Sequence, residues 1–290
     1  MAVTDPPASN GGAAGFRAAC VIGWPAGHSR SPLIHNYWIA QHGIAGEYRK
    51  EAVRPKDFEA FLAGLSARGY AGANVTLPHK EMALALTRAD ARARTVGAAN
   101  TLWYEGGTLH STNTDVEGFL ANLDAAAPGW ERGLEAALVL GAGGSARAVV
   151  FGLIERGVPR IHVANRTLDR AEALRARFGD AVVPVGWDAV GGLLPAAGLL
   201  VNTTSLGMKG QPPLTLDIAR LRDRAVVADL VYVPLVTELI GAAKARGLRV
   251  ADGLGMLLHQ ATRPFEKWFG VRPQVTPELR ALVEADLARS

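Results

Sequence analysis

Short apolar runs recur along the chain, each closed by turn formers and followed by a stretch with apolar positions at helical spacing. Residues 18–23, 47–53 and 72–76 read as strands, with helices over 32–41 and 57–68 between them. A short helical region follows Pro78. Residues 100–104 and 108–111 flank Glu105-Gly106-Gly107 and predict a hairpin, after which a helix spans 115–126. The segment Ala127-Pro128-Gly129-Trp130-Glu131-Arg132-Gly133 is dense in turn formers and marks a boundary. Beyond it strands are predicted at 136–140, 160–164, 181–185, 199–202, 226–229 and 249–250, with helical segments between several of them. Two apolar-periodic helices, 256–268 and 277–288, end the pattern. Alternation of this kind predicts an α/β protein with two open-sheet domains.

Length agrees, since 290 residues suffice for two cores. A hydrophobic fraction of 49% and a charged fraction of 20% describe an ordinary globular chain, and no segment is long and apolar enough for a membrane span. The net charge of +4 suits an anionic small-molecule ligand. The basic residues are dispersed and lack an interleaved aromatic signature, which argues against nucleic acid as a partner. The single cysteine, Cys20, lies in an apolar run; it reads as a buried small hydrophobe and fits a reducing cytoplasm. The seven histidines show no close metal-ligand spacing, so no metal is expected. Residues 1–15, rich in Ala, Gly, Pro, Ser and Asn, are expected to form a disordered leader without the features of a signal peptide. The sequence leaves monomer and homodimer equally open.

The most informative stretch is Leu138-Val139-Leu140-Gly141-Ala142-Gly143-Gly144-Ser145-Ala146-Arg147. An apolar strand, a Gly-x-Gly-x-x-Ala turn and a helix follow one another, which is the context of a dinucleotide-binding turn. Gly141 permits the tight turn, Gly143 lets the backbone approach a pyrophosphate, and Ala146 lets the helix pack closely. The phosphates would then meet unpaired N–H groups at the helix start. The next strand ends in Asn165-Arg166-Thr167, where an NAD site would carry an acid. Arg166, with Arg170 behind it, favours a 2′-phosphate and so NADP, unless both merely solvate a helix start.

Three polar clusters stand at predicted strand ends. Ser29 and Ser31, in His28-Ser29-Arg30-Ser31-Pro32, offer hydroxyls to a small anion, although Ser31 also suits an N-cap followed by Pro32. In Asn74-Val75-Thr76-Leu77-Pro78-His79-Lys80, Asn74 and Thr76 project to one side of an extended segment. By residue type His79 is the more obvious acid–base group, and Lys80 reads first as a solvated charge. In Asn113-Thr114-Asp115, Thr114 and Glu117 fit a capping box, an account that becomes insufficient if Asp115 meets Lys80.

Together these motifs resemble the shikimate/quinate dehydrogenase family. Gly97-Ala98-Ala99-Asn100-Thr101-Leu102 and Gly253-Leu254-Gly255-Met256 with Gln260 add to the likeness, which runs in family order from about residue 20 to 262. The resemblance implies reversible NADPH-dependent reduction of 3-dehydroshikimate to shikimate, in a cleft between a substrate domain (16–127 with 253–290) and a Rossmann-like domain (128–252). It places Ser29 and Ser31 at the substrate carboxylate. Asn74, Thr76, Asn100, Asp115 and Gln260 fall around the ring hydroxyls, with Tyr232 nearby and Lys80, paired with Asp115, exchanging the proton. On the cofactor side it points to Gly141, Ala142, Gly143, Gly144, Ser145, Asn165, Arg166, Thr167, Arg170, Leu230 and Gly253. Two departures stand out: Ala99 replaces a common valine, and Ala91 stands where an acid is frequent. Rival readings are a quinate or aminoshikimate dehydrogenase using NAD, and an NADP-binding sensor without turnover. A glutamyl-tRNA-reductase-like enzyme would need a reactive cysteine, a role ill suited to Cys20.

Overall fold

The computed structural model describes residues 15–289, so nearly all of the expected leader lies outside the described residues. The first half builds β1 (Arg17–Gly23), α1 (Ser31–Gln41), β2 (Gly46–Ala52), α2 (Phe58–Ala63), β3 (Tyr70–Val75) and α3 (Lys80–Ala85). It continues with β4 (Arg88–Ala89), α4 (Ala91–Val96), β5 (Thr101–Glu105), β6 (Thr108–Thr112) and α5 (Asp115–Ala126). These strands form one sheet in the order β2-β1-β3-β5-β6-β4. Strand β1 runs parallel to β2 and β3, whereas β5 is antiparallel to both β3 and β6. Strands β3 and β6 therefore point the same way and end on one edge.

The second half builds β7 (Ala137–Leu140), α6 (Gly144–Glu155), β8 (Ile161–Asn165), α7 (Leu168–Phe178), β9 (Val182–Gly186), α8 (Val190–Leu193) and β10 (Leu199–Asn202). Then come β11 (Val226–Asp229), α9 (Glu238–Ala245) and β12 (Arg249–Ala251). Its sheet is wholly parallel, ordered β12-β11-β10-β7-β8-β9. The strand order reverses between β7 and β10, and ligands of open α/β sheets bind at such a reversal. Both faces are covered, which explains why Leu138, Val139, Leu140, Leu199, Leu200 and Val201 read as unbroken apolar runs.

Helices α10 (Gly253–Gln260), α11 (Thr262–Phe269) and α12 (Pro277–Ala288) return to the first sheet. Phe265, Trp268, Leu279 and Val283 pack with Ala19, Val21, Ile34 and Trp38. The expected single helix over 256–268 is thus two helices. Pro264 has no N–H to donate back to Gln260, and its ring crowds that carbonyl, so the ladder breaks at Ala261. The helix also starts earlier than expected, because the Asp252 carboxylate accepts the Gly255 N–H at 2.9 Å. Helix α2 ends at Ala63, where Gly64 opens a run of turns through the end of the segment expected to be helical. Strand β4 and helix α4 were not anticipated from the pattern, although Asp90 accepts the Ala93 N–H at 2.8 Å and Gly97, at φ +77°, closes the helix. Ala99 is fully buried beside Leu102, so its small side chain is a packing choice. No helix among the described residues is long and apolar enough to cross a membrane.

Candidate active site

Lys80 and Asp115 are the first residues of α3 and α5, which follow β3 and β6 on the same sheet edge. Their side chains meet, Lys80 Nζ donating to Asp115 Oδ2 at 2.5 Å. Both are largely buried, at 21% and 14% side-chain exposure, yet both reach a cavity. The carboxylate is held from its other oxygen too, since Asn100 Nδ2 donates to Oδ1 at 2.8 Å. Asn100 is itself fixed, its Oδ1 accepting the Thr114 N–H at 2.8 Å and the Thr101 hydroxyl at 3.1 Å. Asn74 completes the floor: its amide donates to Asn100 O at 3.2 Å and its carbonyl accepts the Tyr48 hydroxyl at 2.7 Å.

The cavity encloses about 330 Å³ and collects every residue that the resemblance places at the substrate: Ser29, Ser31, Asn74, Thr76, Lys80, Asn100, Asp115, Tyr232 and Gln260. Ser145, Leu230 and Gly253, expected on the cofactor side, line it as well. It therefore spans the two sheets. Burial raises the Tyr232 phenol above its ordinary range, opposed by the charge of Arg30, so it stands as a neutral donor. Asp229, at the end of β11, anchors this stretch by accepting from Asn202 Nδ2, the Val231 N–H and the Thr237 hydroxyl. Burial raises its carboxyl, and those hydrogen bonds work against the rise.

A second groove, of about 310 Å³, opens beside the glycine turn and is lined by Ala142, Gly143, Gly144, Arg147, Arg170 and Arg177 among others. A Cβ on Gly143 or Gly144 would meet nothing within 4 Å, so the backbone at the α6 N-terminus faces open space. Gly141, at φ +100°, instead packs against Thr203 and Thr204, where a Cβ would lie 2.8 Å from the Thr203 hydroxyl oxygen. Gly253 is needed for space, because a Cβ there would lie 2.3 Å from the Leu230 carbonyl oxygen. Asn165, Arg166 and Thr167 sit at the end of β8 and line neither cavity; the Asn165 amide donates to Thr167 O at 2.8 Å.

Three local expectations change. The capping box does not form: Thr114 makes no side-chain cap, the Asp115 N–H is accepted by Asn113 Oδ1 at 3.0 Å, and Glu117 pairs with Arg263 and Arg272. Ser31 is the first helical residue rather than the cap, and its N–H is accepted by Ser29 Oγ at 3.3 Å. His79, the more obvious acid–base group by type, faces away from the cavity. Its ring stacks on Phe58 at 4.4 Å and its Nε2 meets Val53 O at 2.7 Å. Burial lowers its pKa, leaving a neutral structural ring. Arg147 and Arg177 were assigned no role from the sequence. Arg147 lies one turn into a helix that a phosphate would cap, which was a usable signal; Arg177 lies far along α7 and left none.

Comparison with known proteins adds the following. Residues 21–102 match the family described as shikimate dehydrogenase substrate binding domain, and residues 131–223 match shikimate / quinate 5-dehydrogenase. The chain is 69% identical over 271 residues to a shikimate dehydrogenase (NADP(+)) of Nitrobacter hamburgensis, covering 93% of this chain and 95% of that one. Among solved structures it is similar to a quinate dehydrogenase from Corynebacterium glutamicum in complex with NAD, with a TM-score of 0.86 and 31% identity over 93% of this chain and 99% of that one. A shikimate 5-dehydrogenase from Thermus thermophilus in complex with NADP(H) and shikimate gives a TM-score of 0.81 and 35% identity over 94% and 99%.

Proposed function

The chain belongs to the shikimate dehydrogenase family, and from that premise we propose that it catalyses the reversible NADPH-dependent reduction of 3-dehydroshikimate to shikimate. The observation that carries the reading is the Lys80–Asp115 contact of 2.5 Å at the wall of a cavity that both sheets line. Reducing a ketone builds negative charge on its oxygen, and the Lys80 ammonium is the donor positioned to stabilise and protonate it. Asp115 keeps the amine in place, and Asn100 holds the carboxylate so that Oδ2 stays turned to the lysine. In the reverse direction the neutral amine takes the hydroxyl proton.

The dinucleotide, when bound, supplies the hydride. The residues present fit it: open backbone at Gly143 and Gly144, a tight turn at Gly141, and arginines for phosphate in the adjoining groove. We assign its binding to Gly141, Ala142, Gly143, Gly144, Ser145, Asn165, Arg166, Thr167, Arg170, Leu230 and Gly253. Substrate falls to Ser29, Ser31, Asn74, Thr76, Lys80, Asn100, Asp115, Tyr232 and Gln260. In this reading residues 16–127 with 253–290 form the substrate domain, and 128–252 the cofactor domain. For assembly the reading takes a monomer or a homodimer. A cytoplasmic setting accords with the buried free thiol of Cys20.

The test is steady-state kcat/KM for shikimate and quinate, each with NADP and with NAD. The likeness to an NAD-bound quinate dehydrogenase makes the full matrix necessary. Shikimate with NADP is expected to lead; a lead for quinate with NAD overturns the assignment.

A further inference from the structure

Two arginines of the phosphate groove also hold the opposite half of the molecule. Arg147, in the first turn of α6, donates from Nη1 to the Glu81 carboxylate at 2.7 Å and to Gly97 O at 3.4 Å. Arg177, in the last turn of α7, donates from Nη1 to Thr95 O at 3.1 Å and Arg94 O at 3.5 Å. Its guanidinium lies so close over Gly97 that a Cβ there would approach Nη1 to 2.7 Å. The segments they grip are not remote from the chemistry. Glu81 follows Lys80 directly, and Gly97 lies three residues before Asn100, which holds Asp115.

Energy does not explain these contacts. Glu81 is 70% exposed, and an ion pair so open to water contributes about 0–1 kcal/mol. Their geometry is more telling. Among the described residues each guanidinium reaches the far half through Nη1, which leaves Nε and Nη2 for the groove that Arg147, Arg170 and Arg177 line. A planar fork can bind a phosphate with one edge while holding a carbonyl or carboxylate from the other. An anion in the groove then stiffens both arginines in the positions that fix α3 and the end of α4.

We propose that Arg147 and Arg177 are positioning residues that couple a nucleotide phosphate in the groove to the placement of Lys80 and Asn100, so that nucleotide tightens substrate binding. The proposal rests on the functional reading above. It differs from simple phosphate binding because Glu81, which cannot bind an anion, belongs to the coupling path.

Calorimetric titration of shikimate into the full-length protein, alone and saturated with 2′,5′-ADP, tests it without turnover. The nucleotide is expected to tighten shikimate binding about fivefold or more in the wild type, the lower end of ordinary site-to-site coupling. In Glu81→Gln and in Arg177→Ala the two shikimate affinities are expected to converge to within about twofold, whereas coupling of this kind is otherwise reciprocal and intact. Glu81→Gln should keep its affinity for 2′,5′-ADP, and Arg177→Lys should restore part of the coupling. Wild-type coupling retained in Glu81→Gln overturns the proposal, as does shikimate binding in the wild type that ignores the nucleotide. Wild-type protein that binds 2′,5′-ADP yet no shikimate overturns the functional reading itself, a result distinct from lost coupling.

Discussion

An ammonium meets a carboxylate here because α3 and α5 start from parallel strands that end on one edge of the first sheet. Spacing alone could not show this, since 35 residues and an antiparallel strand separate the two. What the sequence did display was the polar alternation of Asn74 and Thr76 and the resemblance that placed Lys80. Residue type misdirected attention to His79, whose burial against Phe58 became visible only in three dimensions. Lys80→Ala is expected to lower kcat by about 10²–10⁴-fold, the usual contribution of a placed proton donor. Calorimetry should show that this variant still binds shikimate and 2′,5′-ADP; full retention of kcat would remove Lys80 from the reaction. A second residue reports on stability. His35 is wholly buried, stacked on Tyr48 at 4.2 Å, and burial drives its pKa from 6.5 to about 3 despite some help from Asn74. Between those values the unfolded chain carries a proton that the folded chain refuses, so stability falls as pH falls below about 6.5, by up to about 1.4 kcal/mol per unit. Urea unfolding from pH 7 to pH 5 should show a shallower loss in His35→Leu than in the wild type. Equal slopes would mean that His35 titrates normally.

At the scale of elements, the junction of α5 and α10 is where the fold carries the cleft. Asn122 Nδ2 donates to Asp252 O at 2.8 Å, and the Asp252 carboxylate caps α10 and pairs with Arg280 at 2.6 Å. Gly255 leaves no room for a side chain, since a Cβ would lie 1.8 Å from Asn122 Oδ1. Gly255→Ala is therefore expected to destabilise by about 1–3 kcal/mol, the range for overpacking a filled contact. Because the clash is with one side chain, the loss should shrink in an Asn122→Ala background, and the interaction in that double-mutant cycle is the measurement. Additive losses would place the strain elsewhere. Much of this level was legible. The buried strands of the second sheet announced themselves as apolar runs, and the hairpin of β5 and β6 by its Gly106-Gly107 turn. The weak points were short: β4 has two residues and α4 six, below the length at which periodicity carries a signal. The capping box failed for a different reason, as Asn113 reached the Asp115 N–H and three arginines drew Glu117 away.

At the scale of the molecule, cofactor choice is separable from fold. Similar architectures carry NAD in one relative and NADP(H) in another, so the sheet order alone selects neither. In the reading proposed above, selection falls to Arg166 and to the side chains of the groove beside the glycine turn, whose lining among the described residues holds Arg147, Arg170 and Arg177 and no carboxylate. Arg166 is exposed and does not line that groove. A phosphate bound by such groups gains charge-assisted hydrogen bonds worth about 1.5–3 kcal/mol each, which the ribose hydroxyl of NAD cannot claim in full. Arg166→Ala combined with Arg170→Ala is thus expected to lower kcat/KM for NADP by about ten- to a hundredfold, while kcat/KM for NAD moves little. The ratio of the two constants, measured with shikimate at saturation, is the readout, because a fold-wide defect would depress both together. If both constants fell in parallel, the arginines would be supporting the domain, and 2′-phosphate recognition would have to lie with Arg147 and Arg177, which line the same groove.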